Sequence, residues 1–164
     1  MRKRWYQAVL ATVAMAVLAL AGTAASAGPS TPDDRPAETF DAILRAQADA
    51  WFAEDGAAFA ATFWPDGDMV TFNGDHLNGR ADIAVRMQYY FDNYMDPTHI
   101  KTLSQDVTFA RPDLAVIVRT SCLLVTESSP CRDGSLSTNT NVMLKRHGRW
   151  MQQSFQNTRQ MPLG

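Results

Sequence analysis

The segment DGDMVTFNGDHLNGRADI, residues 66–83, decides the fold. Met69, Val70, Thr71 and Phe72 are strand formers, so a first strand is predicted over residues 68–72. The turn formers Asn73, Gly74 and Asp75 close it, Asn78 and Gly79 make a second turn, and a helix starts behind them. That helix carries Ile83, Met87, Tyr90, Phe91 and Tyr94 on one face. It ends at Asp96-Pro97, because the residue before a proline is driven out of the helical region.

Two helices precede this strand. Phe40, Ile43, Leu44, Gln47, Trp51 and Phe52 recur at spacings of three and four, which predicts an amphipathic helix over residues 37–53. Asp55 is placed to cap a short second helix bearing Phe59 and Phe63, and Pro65 stops it. Beyond residue 98 the apolar period changes to two and stays there. Strands are predicted over residues 99–110, 114–126, 136–146 and 150–158, with turns at Arg111-Pro112-Asp113, around Cys131 and at His147-Gly148. Consecutive strands with short turns make an antiparallel meander. The chain is therefore expected to be an α+β domain in which three N-terminal helices pack on a curved, mostly antiparallel sheet.

The N-terminus follows a different logic. Arg2, Lys3 and Arg4 precede an apolar run, residues 8–22, that leads into Ala25-Ser26-Ala27, the three parts of a secretory signal. The run is about 15 residues, short of the roughly 20 that a spanning helix needs, and no cysteine follows the cleavage site to accept a lipid. We expect residues 1–27 to be a signal peptide, residues 28–36 a flexible tether of turn formers, and residues 37–160 the folded domain. The mature protein is expected to be secreted or periplasmic, with no stable membrane anchor.

Among 164 residues, 15 are Lys or Arg and 17 are Asp or Glu; loss of the leader removes three basic and no acidic residues and moves the formal charge from −2 to −5. A mildly acidic chain of this size holds one core and lacks the basic stripe that phosphate backbones require, so nucleic acid is not an expected partner. Twelve of the basic residues are Arg, a balance that fits carboxylate or phosphate recognition and fits a GC-rich coding bias as well. Cys122 and Cys131 both lie in the exported part, on either side of a turn-rich loop. A disulfide pinning that loop is the expectation, the alternative being two free thiols.

The segment 66–83, together with Gly148-Arg149-Trp150 and Phe155-Gln156-Asn157-Thr158, resembles the SnoaL-like branch of the nuclear transport factor 2-like superfamily, and within it the SgcJ/EcaC family. The likeness covers about residues 38–159. It implies a cystatin-like cone with a pocket between the first and third helices and the concave sheet face, commonly in a homodimer. In that family the acid equivalent to Asp66 braces the turn at Gly79 and Arg80. The label oxidoreductase often attached to the family finds no G-x-G-x-x-G fingerprint in this chain, and no cofactor is expected.

Candidate chemistry begins with Asp66 and Asp68, with Asp75 and His76 just beyond. They read as an acid–base pair, a metal cluster or turn-bracing groups, and bracing fits Asp66 best. An EF-hand loop is excluded because Val70 stands at its third ligand position, and no metal site is expected. Asp68 and His76 are the candidates for catalytic proton transfer. Steroid-isomerase-type enzymes of the superfamily need a carboxylate base where this chain has Thr71 and a hydroxyl where it has Gln47, so that mechanism is disfavoured. His76, His99 and His147 are all expected near the surface.

A small-molecule pocket is the leading expectation. Gln47 and Trp51 lie one turn apart on the first helix, Met69 and Thr71 share a strand face, Tyr90 lies on the third helix, and Phe155 and Asn157 share a face of the last strand with Met151 and Gln153. Aromatic rings beside a few amides and hydroxyls suit a small, partly apolar organic ligand. The alternatives are an enzyme using Asp68 or His76, and a dimeric interaction module with no ligand.

Overall fold

The structure, a computed structural model, describes residues 35–161. The expected signal peptide, residues 1–27, and residues 28–34 of the expected tether lie outside the described residues. Helix α1 (Pro36–Phe52) starts one residue before the expected domain boundary, with Pro36 at its first position, where a missing N–H costs nothing. It buries Phe40, Leu44, Gln47 and Ala50. The short α2 (Gly56–Ala60) is capped by Asp55, whose carboxylate accepts the Ala58 N–H at 2.8 Å.

Strand β1 (Phe63–Val70) starts five residues earlier than predicted. Pro65 and Asp66 therefore sit in the strand and not in a post-helical turn, while Thr71 and Phe72 fall beyond its end. A proline is tolerated because the pairing of β1 with the last strand is interrupted between Phe63 and Asp68, so no regular ladder bond is lost. The turn region also holds a short strand, β2 (His76–Asn78), that pairs antiparallel with β1. Gly79 follows at φ 87°, a left-handed conformation that suits glycine, and α3 (Arg80–Tyr94) begins there.

The meander forms β3 (His99–Arg111), β4 (Leu114–Leu124), β5 (Ser137–Arg146) and β6 (Arg149–Arg159). The sheet order is β2-β1-β6-β5-β4-β3, antiparallel throughout except for the parallel pair β1–β6. Register shifts in β3–β4, β5–β6 and β1–β6 bend the sheet. One of these corrects the sequence reading of β6: because the shift falls between Ser154 and Gln152, opposite Val142 and Met143, strict alternation fails at Gln153. Gln152 is fully buried and bonded to Asn141 (2.6 Å) and Thr62 (2.8 Å), whereas Gln153 reaches Arg146.

Two apolar clusters hold the layers together. One joins Phe59, Phe63, Met69, Leu77, Ile83, Met87, Phe91 and Phe155 across α2, α3, β1, β2 and β6; the other joins Phe40 and Leu44 of α1 to Ala115, Ile117, Met143 and Trp150. The start of α2 presses on α3 so closely that a Cβ on Gly56 would lie 2.5 Å from the Ala84 carbonyl oxygen. Tyr94, expected on the apolar face of α3, is largely exposed.

Candidate functional site

Between α1, α3 and the inner face of the sheet lies a cavity of about 740 Å³. Gln47 and Trp51 from α1, Met69 of β1 with Thr71 just past its end, Tyr90 from α3, and Phe155 and Asn157 from β6 all line it. The structure thus brings together the seven residues expected to line a pocket, but not Met151 and Gln153, which strict alternation puts on the same face of β6. The register shift in β6 lies before Phe155, so Phe155 and Asn157 keep their shared phase.

Three of these side chains are fixed by hydrogen bonds to other residues of the cavity wall. The Trp51 indole N–H donates to the Thr98 hydroxyl at 2.9 Å, and its ring meets Phe91 edge-on at 5.5 Å. Thr71 accepts the Asp75 N–H at 3.0 Å and donates to Asn73. The Tyr90 hydroxyl donates to the Asp75 carboxylate, which also lies 3.7 Å from Arg86. These contacts move both groups apart in titration. The Tyr90 hydrogen bond, helped by Asn73 and Arg86, lowers Asp75; burial first, and then the bond to Asp75, raises Tyr90.

The sheet floor is polar. Arg119, Asn139 and Asn157 lie side by side on β4, β5 and β6. Ser121 donates to the Asn139 side-chain oxygen at 2.7 Å, and Asn139 donates on to Asn157 at 2.9 Å. Arg119 is only 5% exposed, its Nε has no hydrogen-bond partner, and burial pulls its pKa down to about 10. Gln47 is 3% exposed, and its Nε2 is likewise without a partner. Sequence reasoning does not single out Arg119, Ser121, Asn139 or Arg86, and it names Asp75 only as candidate acid–base or metal chemistry beside His76, not as a cavity residue. The signal for the first two was present in β4, where Ala115, Ile117, Arg119 and Ser121 share one buried phase.

The proposed proton-transfer pair lies elsewhere. His76 Nε2 and Asp68 Oδ2 meet at 3.1 Å across the β1–β2 hairpin, both open to solvent, and neither lines the cavity. The bracing role expected for Asp66 is corrected as well: its carboxylate accepts Arg146 at 2.7 Å, a bond that lowers its pKa. The turn is held by the Gly79 N–H donating to the Gly67 carbonyl at 2.9 Å, and by Arg80, whose Nε donates to the Phe63 carbonyl at 2.8 Å. His147 is exposed, while His99 is half-buried and stacks on Phe52 at 4.2 Å. Cys122 and Cys131 form a disulfide that ties the buried β4 end to the loop after it. Among the described residues no helix is long and apolar enough to cross a membrane.

No protein-family model matches the chain, and no curated protein matches it. Solved structures do. A domain of unknown function with a cystatin-like fold from Nostoc punctiforme is 29% identical over 82% of this chain and 81% of its own, with TM-score 0.70. An NTF2-like protein with a cystatin-like fold from Novosphingobium aromaticivorans is 15% identical over 76% and 82%, with TM-score 0.62. A protein from Catenulispora acidiphila in complex with S-DNPA is 15% identical over 77% and 94%, with TM-score 0.64. The fold is the cystatin-like, NTF2-like cone.

Proposed function

We propose that this chain is an exported SnoaL-like protein, with SgcJ/EcaC-type motifs, that binds a small, partly apolar organic molecule inside its cone. The observation that carries this reading is the cavity itself. At about 740 Å³ it falls within the range of small-molecule sites, and it sets rings and thioethers beside a few convergent hydrogen-bonding groups. One protein of the same fold is in complex with S-DNPA, a further support. The proton-transfer alternative draws less support, since Asp68 and His76 pair with each other away from the cavity.

Export accords with the disulfide. The domain is taken to run over residues 37–160 behind the cleaved leader and tether, and to dimerise through the outer sheet face, where Leu103 and Val118 are exposed. The test is a screen of planar and polycyclic compounds against the mature protein. Binding to the folded state raises the melting temperature and changes tryptophan fluorescence. A screen in which no compound does either removes the pocket reading.

A further inference from the structure

The cavity holds a cation without a counter-ion. Arg86, Arg132 and Arg159 also line it, but each is accounted for: Arg86 faces Asp75 at 3.7 Å, Arg132 faces Asp96 at 4.0 Å, and Arg159 lies 4.2 Å over the Phe72 ring. Arg119 has no ion pair and no side-chain hydrogen bond among the described residues, although it is 95% removed from solvent by its 5% exposure. Its neighbours across the sheet are spoken for. Asn139 bonds Ser121 and Asn157, and Gln105 donates to Asp41 at 3.1 Å. Arg119 also borders a smaller groove with Asp41, yet that carboxylate makes no ion pair with it.

A buried, unpaired charge is costly, and natural interiors pair or ligate such groups. The orphaned Nε2 of Gln47 adds a second donor without an acceptor, from the helical wall of the same cavity. Both lack an acceptor, and one lacks a negative charge. A carboxylate supplies two acceptor oxygens and the charge, and its plane matches the guanidinium fork.

We propose that the cone is a receptor for an organic carboxylate, whose head group pairs with Arg119 and Gln47 while its apolar body lies among Trp51, Met69 and Phe155. The inference rests on the pocket reading and adds the charge and polarity of the ligand. The paired probes are 2-naphthoate and 2-naphthalenemethanol, equal in ring system and different in charge, titrated by calorimetry at neutral pH. Wild type binds the acid at least about tenfold more tightly, the worth of one charge-assisted hydrogen bond. Arg119→Met abolishes that preference while still binding the alcohol, and Arg119→Lys, which keeps the charge without the fork, falls between.

Equal affinity of wild type for the two probes overturns the carboxylate assignment and leaves the pocket reading standing. A preference unchanged in Arg119→Met overturns the role of this residue. Binding of neither probe, together with a blank compound screen, removes the pocket and this inference with it. The ligand-free melting temperature gives an independent readout: a guanidinium waiting for its partner leaves Arg119→Met as stable as wild type or more so. A marked drop, with the acid preference intact, identifies a structural arginine instead.

Discussion

Arg119 is a buried charge on the cavity wall. Its guanidinium is held at 5% exposure with its pKa drawn down to about 10 by burial alone. A cation whose native pKa falls below its unfolded value weakens the folded state wherever it stays charged, so the cost is fully present at neutral pH and recedes only as pH rises through about 10. Arg119→Met is therefore expected to raise unfolding free energy by about 1–3 kcal/mol in urea titrations at pH 7, as replacements of buried charge by apolar side chains do. The carboxylates with lowered pKa values run the other way. Asp66 and Asp75 have lowered pKa values, so what they contribute is present above the usual carboxylate value and is lost as pH falls below it through their lowered values. Asp66→Asn should cost little at pH 7 and less still in acid, measured the same way, because the pair with Arg146 is solvent-screened.

At the same scale, residue type limited what the sequence revealed. Gln47, Trp51, Met69, Thr71, Tyr90, Phe155 and Asn157 were legible because aromatic and amide side chains at helical or strand spacing must face something. Arg119 was not, since arginine on a strand is ordinarily solvated and only its phase with Ala115 and Ile117 marked it as inward. The cavity positions of Asp75 and Arg86 are hidden for another reason. Their place at the cavity depends on how the β1–β2 hairpin meets α3, a long-range matter that local periodicity does not report.

Among the elements, the meander and the three helices follow from period alone, because one face of each must be buried. Boundaries failed where a register shift or a proline broke the period. In β1, Pro65 reads locally as a helix stop although it lies in the strand, and in β6 the shift puts Gln152 in the core, where strict alternation puts it on the face opposite Phe155 and Gln153 on the same face. These two glutamines give a direct check. Gln152→Ala leaves the buried Asn141 amide N–H without its partner, while Thr62 keeps its bond to the Phe59 carbonyl, and should cost about 2–4 kcal/mol, whereas Gln153→Ala should cost about 1 kcal/mol or less, both by chemical denaturation. Equal costs would place the register shift elsewhere. The α2–α3 contact is tested by Gly56→Ala, expected to destabilise by about 1–3 kcal/mol, since the new methyl group would meet the Ala84 carbonyl at 2.5 Å and the Gln88 nitrogen at 2.6 Å.

On the scale of the whole molecule, a single curved sheet covered on one face by helices leaves a hollow that its own side chains do not fill. The disulfide fixes the loop after β4, whose residues Arg132 and Ser135 line the hollow, to a residue that is 1% exposed. Cys131→Ser should lower stability by about 2–3 kcal/mol, as expected for loss of a loop-closing bond across nine residues, read as a drop in melting temperature that wild type reproduces under reductant. The most direct test of the cone as a ligand receptor is a crystal structure of the mature protein grown with 2-naphthoate. The account predicts density for the ring system among Trp51, Met69 and Phe155, with the carboxylate about 3 Å from the Arg119 guanidinium. A structure in which Gln47, Trp51, Tyr90 and Phe155 close on one another, with no space and no density between them, would contradict it.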